Sequence, residues 1–443
     1  MLRAQMTAGI YTLGCKVNQY ESQAIAEDLE KRGFKIISPS APCDVYIINT
    51  CTVTAESDRK ARQTIRRMMK QNSEAYILVT GCYSQVSPED VAAISGVDYI
   101  CGSSNKMSVC DKLSELAECG KKNSSPQICV PDLDKSGFEP MSIRKFERTR
   151  AYVKIEDGCE SKCAYCTIPA SRGPIRSKPF DEVIREVKEI TDGGCSEVVL
   201  TGIETGSYGR DLPERESFGS LLCAVDKIEG IKRVRLGSLD PTVIKPEFVE
   251  KIKDLKSLAP HFHLSLQSGN SKTLASMRRK YNADQAMASI ERLRAALPDV
   301  KFTTDIIVGF PGESEEDFEA SCEFARRARF LMIHVFPYSK RKGTVAATMK
   351  DQIPEAVKKE RVHKLSEISR QIRSQILDEK IAEGKTVSVL FESCDGGYAK
   401  GHTADFCEVK VKTDKRLNGV FRDVKLLSHD GDVCEAEFAE FGE

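Results

Sequence analysis

Short apolar runs alternate with amphipathic helical stretches over the first hundred residues of the chain. This pattern predicts strands at residues 9–13, 45–49 and 75–80, and helices at residues 18–32 and 55–70. Strands that alternate with helices are typical of βαβ units, so we predict an N-terminal open parallel α/β domain. Ligands of such sheets lie outside the carboxyl ends of the strands.

The same alternation begins again after Ala151. Helical patterns at residues 180–191, 217–229 and 314–328 separate runs with strand character. Six βα units, rather than eight, predict a central partial (β/α)6 barrel whose chemistry lies on the loops after the strands. The six strands are predicted at residues 152–155, 197–200, 233–236, 261–266, 302–308 and 332–336.

A charged helix and a set of short alternating runs complete the pattern. Within the helix, apolar residues recur at three- and four-residue steps, at Leu365, Ile368, Ile372 and Ile376. Runs at residues 387–391, 407–411 and 433–438, separated by glycine-containing turns, predict a small antiparallel all-β barrel at the C-terminus.

The chain has 443 residues, which indicates several domains, because single cores rarely grow past about 250 to 300 residues. Loop composition near residues 120–142 predicts a boundary there. We predict an N-terminal domain at 6–120, a linker at 121–146, a partial barrel at 147–353, a connecting helix at 354–383 and a C-terminal barrel at 384–443.

Composition limits the possible partners and compartments. The 66 basic and 66 acidic residues balance, so no global field indicates a nucleic-acid partner. Seventeen cysteines in a charged chain without a signal peptide indicate a reducing cytosol rather than a disulfide framework. No apolar run approaches the roughly 18 to 20 residues that span a bilayer. We expect a soluble, cytoplasmic, monomeric protein without a membrane partner.

The most specific motif is a cysteine loop directly after the first strand of the barrel. Cys159, Cys163 and Cys166 are spaced C-x3-C-x2-C. A [4Fe–4S] cluster has four irons with cysteine thiolates as usual ligands, so three cysteines leave one iron open to a non-protein ligand. The alternative is that these are small buried apolar side chains, but the residues between them make a polar loop.

A second set of cysteines follows the predicted strands of the first domain. Cys15, Cys51 and Cys82 each lie one or two residues beyond a strand, and Gly14 and Gly81 allow the backbone to turn sharply beside them. Three thiols would therefore meet at one crevice. They could be core cysteines instead, but their shared position favours a second three-cysteine cluster site.

With Tyr165 before its last cysteine, the loop resembles that of the radical S-adenosylmethionine superfamily. Together with the second set of cysteines, the whole chain resembles the methylthiotransferases, which insert a methylthio group at an unactivated carbon. Three branches act on isopentenyladenosine in tRNA, on an aspartate of a ribosomal protein, or on threonylcarbamoyladenosine in tRNA. Residues 12–22 are most similar to the bacterial threonylcarbamoyladenosine branch, whereas Ser265 departs from the proline of many relatives.

The resemblance implies two [4Fe–4S] clusters, one on each set of cysteines, and two molecules of S-adenosylmethionine. The loop cluster would cleave S-adenosylmethionine to a 5′-deoxyadenosyl radical, and the other cluster would carry the sulfur to C2 of the adenine at tRNA position 37. It also implies a C-terminal TRAM domain that binds RNA and a reducing partner such as flavodoxin or ferredoxin. Candidate S-adenosylmethionine contacts near strand ends are Tyr165, Thr201, Gly202, Glu204, Ser238, Gln267 and Asp305.

Two alternatives remain open from the sequence. The substrate could be that of either other branch, or the chain could be an RNA-binding iron–sulfur protein without turnover. Basic runs at residues 59–67, 144–150 and 340–342 could form an RNA path, although each could also be a solvated face.

Overall fold

The computed structural model describes residues 5–119, 125–144, 149–213 and 216–439, without the side chain of Cys119. The predicted domain boundaries near residues 120 and 146, and the basic residues Lys145 and Arg148, lie outside these ranges. Three folded units follow one another along the chain, in the order that the apolar pattern predicts.

The first unit is a six-stranded parallel sheet in the order β2-β1-β3-β4-β5-β6. All six residues of the central strand β3 are buried, as expected for a parallel sheet with both faces covered. Strand β6 falls inside the stretch predicted as a linker and extends the sheet by pairing with β5. The elements are β1 (Thr7–Thr12), α1 (Lys16–Lys31), β2 (Lys35–Ile37), β3 (Val45–Thr50), α2 (Ala55–Gln71), β4 (Tyr76–Gly81), α3 (Cys82–Val86), α4 (Pro88–Ala92), β5 (Tyr99–Cys101), α5 (Ser108–Cys119) and β6 (Gln127–Cys129).

The second unit is the predicted partial barrel. Its six strands form two parallel three-stranded sheets, β11-β10-β7 and β12-β13-β14, joined by single bridges. A short hairpin, β8 with β9, follows the first strand. The elements are β7 (Ala151–Lys154), β8 (Glu156–Asp157), α6 (Ile168–Arg172), β9 (Arg176–Ser177), α7 (Phe180–Asp192), β10 (Glu197–Thr201), α8 (Phe218–Val225), β11 (Arg233–Leu236), α9 (Pro246–Ile252), β12 (His261–Gln267), α10 (Ser271–Ser276), α11 (Ala283–Ala296), β13 (Lys301–Val308), α12 (Glu315–Ala328) and β14 (Met332–Pro337).

The third unit is a long helix followed by a closed five-stranded barrel in the order β15-β16-β17-β19-β18. The predicted small all-β barrel is confirmed, and four of its five strand pairs are antiparallel as expected, whereas β17 and β19 run parallel. A closed ring with an odd number of strands cannot alternate direction throughout, so one pair has to be parallel. The elements are α13 (Glu355–Ala382), β15 (Thr386–Asp395), β16 (Tyr398–Thr403), β17 (Glu408–Lys412), β18 (Phe421–Asp430) and β19 (Val433–Phe438).

Polar contacts dock the C-terminal barrel against the partial barrel. Arg235 of β11 donates to the backbone oxygens of Thr403 and Ala404 over 2.7 and 2.8 Å. The ring of His261 stacks on that of Phe406 with 4.5 Å between centroids. On the other side, α13 buries its predicted apolar stripe. The C-terminal barrel therefore closes the end of the partial barrel that lies opposite the cysteine loop.

A buried ionic network joins the first domain to the partial barrel. Glu21 of α1 lies 2.7 Å from Lys154 Nζ and 2.7 Å from Arg172 Nη1, both of which belong to the partial barrel. Both cations also contact Asp157, at 2.7 and 3.1 Å, and Lys106 of the first domain pairs with Glu21. These side chains are almost completely buried. Opposite charges hold the pKa of Glu21 well below its usual range against the cost of burial.

Replacing Lys154 by methionine should lower the free energy of unfolding by about 3–5 kcal/mol, because two buried carboxylates lose a partner. The matched variant Lys188→Met removes an exposed partner of Asp192 and should change it by less than about 1 kcal/mol. Urea unfolding followed by circular dichroism measures both. A carboxylate with a depressed folded-state pKa contributes its full stability above its unfolded-state pKa, which is near 4.5 for Glu21. The deficit of Lys154→Met should therefore narrow as the pH falls below that value toward the folded-state pKa of Glu21. Equal losses in the two variants would show that the network contributes no stability.

Candidate functional site

Cys159, Cys163 and Cys166, the loop triad, lie on the segment between β8 and α6. Backbone N–H groups two residues further along the chain donate to the sulfurs of Cys159 and Cys166, each over 3.4 Å. The sulfur of Cys163 accepts a hydrogen bond from Arg279 Nη1 over 3.2 Å. Each sulfur of the triad is therefore held by a donor that stabilises negative charge.

Burial favours the protonated form of Cys159 and Cys166 in the protein alone, because it raises the pKa of both thiols. It raises the pKa of Cys166 to about 11. Burial also raises the pKa of Cys159, and so does Glu204, whose Oε2 lies 3.0 Å from the Cys159 sulfur. Binding of a cluster would release these protons. The donor set consists of sulfur, the ligand type that iron–sulfur clusters use, so the loop fits a [4Fe–4S] cluster with one open iron.

A cavity of about 340 Å³ opens beside the loop triad. The three cysteines line it together with five other predicted site residues, Tyr165, Glu204, Ser238, Gln267 and Asp305. Two predicted contacts do not line it. Thr201 is the buried last residue of β10, and a side chain at Gly202 would lie 2.5 Å from Glu156 Oε2. Gly202 thus permits the close approach of Glu156, whose Oε2 accepts from the backbone N–H of Glu204 over 2.8 Å.

The sequence did not reveal Arg279 as a site residue. Its side chain contacts the Cys163 sulfur, pairs with Asp240 at 2.7 Å and is held by Tyr281, whose hydroxyl lies 3.1 Å from Nε. All that marked Arg279 was a run of three basic residues, which is typical of a solvated surface. Long-range folding, not local pattern, places it at the cavity.

The first domain forms one rim of the same cavity. Val53 and Thr54, which follow Cys51 closely in the chain, line it. Arg341 fixes this rim, because its guanidinium lies 2.7 Å from Asp58 and 2.8 Å from Thr52 Oγ1. Residues 340–342 were predicted as part of a possible RNA path. Arg341 does not belong to that path, because its guanidinium binds Asp58 and Thr52 within the protein.

Cys15, Cys51 and Cys82, the strand-end triad, follow three strands that are neighbours in the sheet, β1, β3 and β4. A side chain added at Gly14 would lie 2.9 Å from the Cys51 sulfur, so the turns carrying Cys15 and Cys51 touch. The pKa of Cys51 is raised to about 11, first by burial and then by the Cys82 and Cys15 thiolates. The structure therefore places all three cysteines at the carboxyl ends of neighbouring strands, with the turns of Cys15 and Cys51 in contact.

A buried guanidinium marks this triad as a site for negative charge. Arg172 Nε donates to the Cys82 sulfur over 3.1 Å, and the side chain is completely buried. In this buried network the four cations, Lys106, Lys154, Arg172 and Arg176, outnumber the carboxylates Glu21 and Asp157 with which they pair. A group held by thiolates would balance this surplus, so the strand-end triad fits a second iron–sulfur cluster.

Family models match two of the three units. Residues 153–325 match the Radical SAM superfamily, and residues 7–102 match the Uncharacterized protein family UPF0004. The first match covers the loop triad and the partial barrel up to α12, and the second covers the strand-end triad and the sheet up to β5.

Relatives align with nearly the whole chain. The Threonylcarbamoyladenosine tRNA methylthiotransferase MtaB of Bacillus subtilis is 37% identical over 98% of this chain and 96% of its own length. The chain belongs to the radical S-adenosylmethionine methylthiotransferase family. The Thermotoga maritima MtaB is also 37% identical, with 98% of each chain covered. A tRNA-2-methylthio-N(6)-dimethylallyladenosine synthase of Thermoanaerobacter pseudethanolicus is 34% identical over 97% of this chain and 92% of its own length.

A solved structure shares the fold. The radical S-adenosylmethionine methyltransferase TsrM from Kitasatospora setae, solved with cobalamin and a [4Fe–4S] cluster, superposes with a TM-score of 0.58 over 77% of each chain at 13% identity. The predicted fold class, enzyme class and cofactor class are confirmed. Within the described residues, no helix has both the length and the apolar character to cross a membrane.

Replacing Gly158 by alanine should prevent the loop triad from binding its iron–sulfur cluster. Gly158 has φ +93°, and its added side chain would lie 1.9 Å from the backbone oxygen of Pro174, so the loop cannot keep its conformation. We expect loss of about half of the iron after anaerobic reconstitution, since each cluster holds four irons. The control Gly137→Ala, where a side chain meets open space, should keep all of it. Full iron content in Gly158→Ala would show that the loop tolerates the change.

Proposed function

We propose that this protein is a tRNA methylthiotransferase that adds a methylthio group to C2 of N6-threonylcarbamoyladenosine at tRNA position 37, beside the anticodon. The observation that carries this proposal is a cavity to which both cysteine-bearing domains contribute. The loop triad lines the cavity, and so does Val53, two residues after Cys51 of the strand-end triad. A substrate in the cavity would lie beside the loop triad and close in the chain to Cys51.

In the proposed enzyme each triad holds a [4Fe–4S] cluster, and S-adenosylmethionine lies in the cavity beside the loop triad. When bound, these groups supply reductive cleavage of S-adenosylmethionine and a sulfur–methyl donor. The side chains orient and shield them. Glu204, Ser238, Gln267 and Asp305 offer polar atoms around the cavity, while Ile307 gives it an apolar wall.

Two exposed apolar side chains support binding of a nucleobase. Phe336 is 47% exposed and Val53 is 54% exposed, and both side chains line the cavity. Phe336 belongs to the partial barrel and Val53 to the first domain. Exposed apolar groups at a pocket mark an interaction site, and a base that has left its stack packs on such side chains. The anticodon stem-loop presents such a base in its loop.

The RNA path of the proposed enzyme uses cations that the protein does not already pair. Arg66 of α2, Lys340 and Lys342 are exposed and form no ion pair with any residue that the structure describes, whereas Arg59 pairs with Glu56. The closed C-terminal barrel would serve as the TRAM domain that binds the stem. We further propose the domain limits given above, a cytoplasmic monomer and a small electron-transfer protein such as flavodoxin or ferredoxin as reductant.

Mass spectrometry of tRNA nucleosides from cells that lack the protein tests the substrate. We expect methylthio-threonylcarbamoyladenosine to disappear, its unmethylthiolated precursor to accumulate, and methylthio-isopentenyladenosine to persist. Expression of the protein from a plasmid should restore the product. If the isopentenyl nucleoside disappeared instead, the other tRNA branch would be correct, and an unchanged tRNA profile would leave the ribosomal aspartate as the target.

Combined replacement of Cys15, Cys51 and Cys82 by alanine should remove about half of the iron, since four irons belong to each cluster. The variant should still release 5′-deoxyadenosine from S-adenosylmethionine with dithionite, because the loop triad remains, but should form no methylthio product. The control Cys43→Ala removes a buried thiol of the same domain and should keep all of the iron. No release of 5′-deoxyadenosine by the wild-type protein would favour a non-catalytic iron–sulfur protein.

A further inference from the structure

The guanidinium of Arg279 connects the loop triad to other parts of the cavity wall, and all three of its nitrogens have partners. Nη1 donates to the sulfur of Cys163 over 3.2 Å. Nη2 donates to Asp240 Oδ2 over 2.7 Å and to the backbone oxygen of Ser265 over 2.8 Å, while Nε donates to the Tyr281 hydroxyl over 3.1 Å. Because a guanidinium is planar and rigid, these four contacts fix both its place and its orientation against the cysteine.

The backbone on either side of Arg279 places this side chain against the cysteine loop. Helix α10 ends in a tight turn, in which the N–H of Arg279 donates to the backbone oxygen of Leu274 over 2.9 Å. The turn requires Arg278 to adopt φ +60°, a left-handed conformation that glycine adopts at lower cost. In the same turn, the backbone oxygen of Met277 accepts the N–H of Ala164, between two cysteines of the loop triad, over 2.9 Å. Backbone and side-chain contacts therefore both hold this turn against the loop.

Arg279 supplies positive charge to a cavity wall that is otherwise negative. Among the described residues that line the cavity it is the one cation, whereas Glu204, Asp240 and Asp305 carry carboxyl groups. The side chain of Arg279 is 9% exposed and that of Asp240 is 13% exposed, so little water screens the pair. An arginine keeps its charge at every physiological pH. Negative charge that develops on the loop triad therefore meets one fixed cation.

Reduction of a cluster on the loop triad would change the charge beside this guanidinium. One electron from an external reductant adds one negative charge, while no bond to the protein breaks and Arg279 keeps its protons. A hydrogen-bond donor on a ligand sulfur stabilises the more negative, reduced form, and so raises the reduction potential. Asp240 has the opposite effect, because its carboxylate compensates part of the positive charge of Arg279. The sulfur of Cys163 is therefore exposed to a balance between these two charges.

We propose that Arg279 raises the reduction potential of the cluster on the loop triad and that Asp240 limits this effect. This inference rests on the part of the proposed function that assigns a [4Fe–4S] cluster to the loop triad, and it does not depend on which substrate the enzyme modifies. Arg279 acts through the sulfur of Cys163, so it is a positioning residue. A purely structural arginine would hold the loop without changing the potential.

Redox titration of the anaerobically reconstituted full-length protein tests this inference. Electron paramagnetic resonance follows the reduced cluster at set potentials without S-adenosylmethionine, and the variant that lacks the strand-end triad identifies the signal of the loop cluster. Arg279→Met should lower the ratio of reduced to oxidised cluster at a given potential about tenfold, the size expected of one charge-assisted hydrogen bond. For a one-electron step this ratio corresponds to about 59 mV. Asp240→Asn keeps the shape of the side chain and should shift the ratio in the opposite direction.

The control Lys280→Met removes an exposed positive charge one residue further along the chain and should leave the potential unchanged. An unchanged potential in Arg279→Met with full iron content would overturn the inference, and so would a shift of both test variants in the same direction. If Arg279→Met held no loop cluster, Asp240→Asn would decide alone, with no shift or a lower potential overturning the inference. Failure of the proposed function is distinct, because a wild-type protein without any signal from the loop triad would hold no cluster there and would overturn both.

Discussion

Glu21 is the carboxylate through which the two catalytic halves of the molecule are held together. It accepts hydrogen bonds from Lys154 and Arg172 of the partial barrel while belonging to the first helix of the N-terminal domain. Arg172 in turn contacts Cys82 of the strand-end triad, and Asp157, which shares both cations, comes two residues before the loop triad. One buried network therefore reaches the sulfur of Cys82 and, through Asp157, the backbone N–H of Gly158 beside the loop triad.

Burial of so many charges makes this docking specific. Charges taken out of water are stabilised only where partners and hydrogen bonds replace the solvent, so a displaced interface would leave several of them unpaired. The network also carries more positive than negative charge, and Cys82 lies against it. Negative charge on a thiolate-bound group at the strand-end triad would complete the balance. If that triad holds a cluster, the same electrostatics would couple its loading to the docking of the domains.

The parts of this arrangement that depend on local sequence could be predicted. The C-x3-C-x2-C loop is contiguous, and the strand ends that carry Cys15, Cys51 and Cys82 follow from the alternation of apolar and polar runs. Arg172 contacts the sulfur of Cys82 in the strand-end triad, and Arg279 contacts the sulfur of Cys163 in the loop triad. Neither arginine was predicted, because no local sequence pattern distinguishes a buried arginine from a solvated one. For the same reason the basic run at residues 340–342 was assigned to RNA although Arg341 pairs with Asp58. The C-terminal barrel contains a parallel strand pair because a closed ring of five strands cannot be antiparallel throughout. This constraint comes from the whole barrel, so the sequence of a single strand does not reveal it.

Chain connectivity gives the network a further consequence for the strand-end triad. Cys15 and Glu21 lie within about two turns at the start of one helix, α1, so their relative positions are set by helix geometry. Glu21 fixes that helix against the barrel through its ion pairs with Lys154 and Arg172, and Cys15 directly precedes the first residue of the helix. Any shift of α1 would therefore move Cys15 and break these buried ion pairs together. One helix thus links the docking of the two domains to the position of one thiol of the strand-end triad.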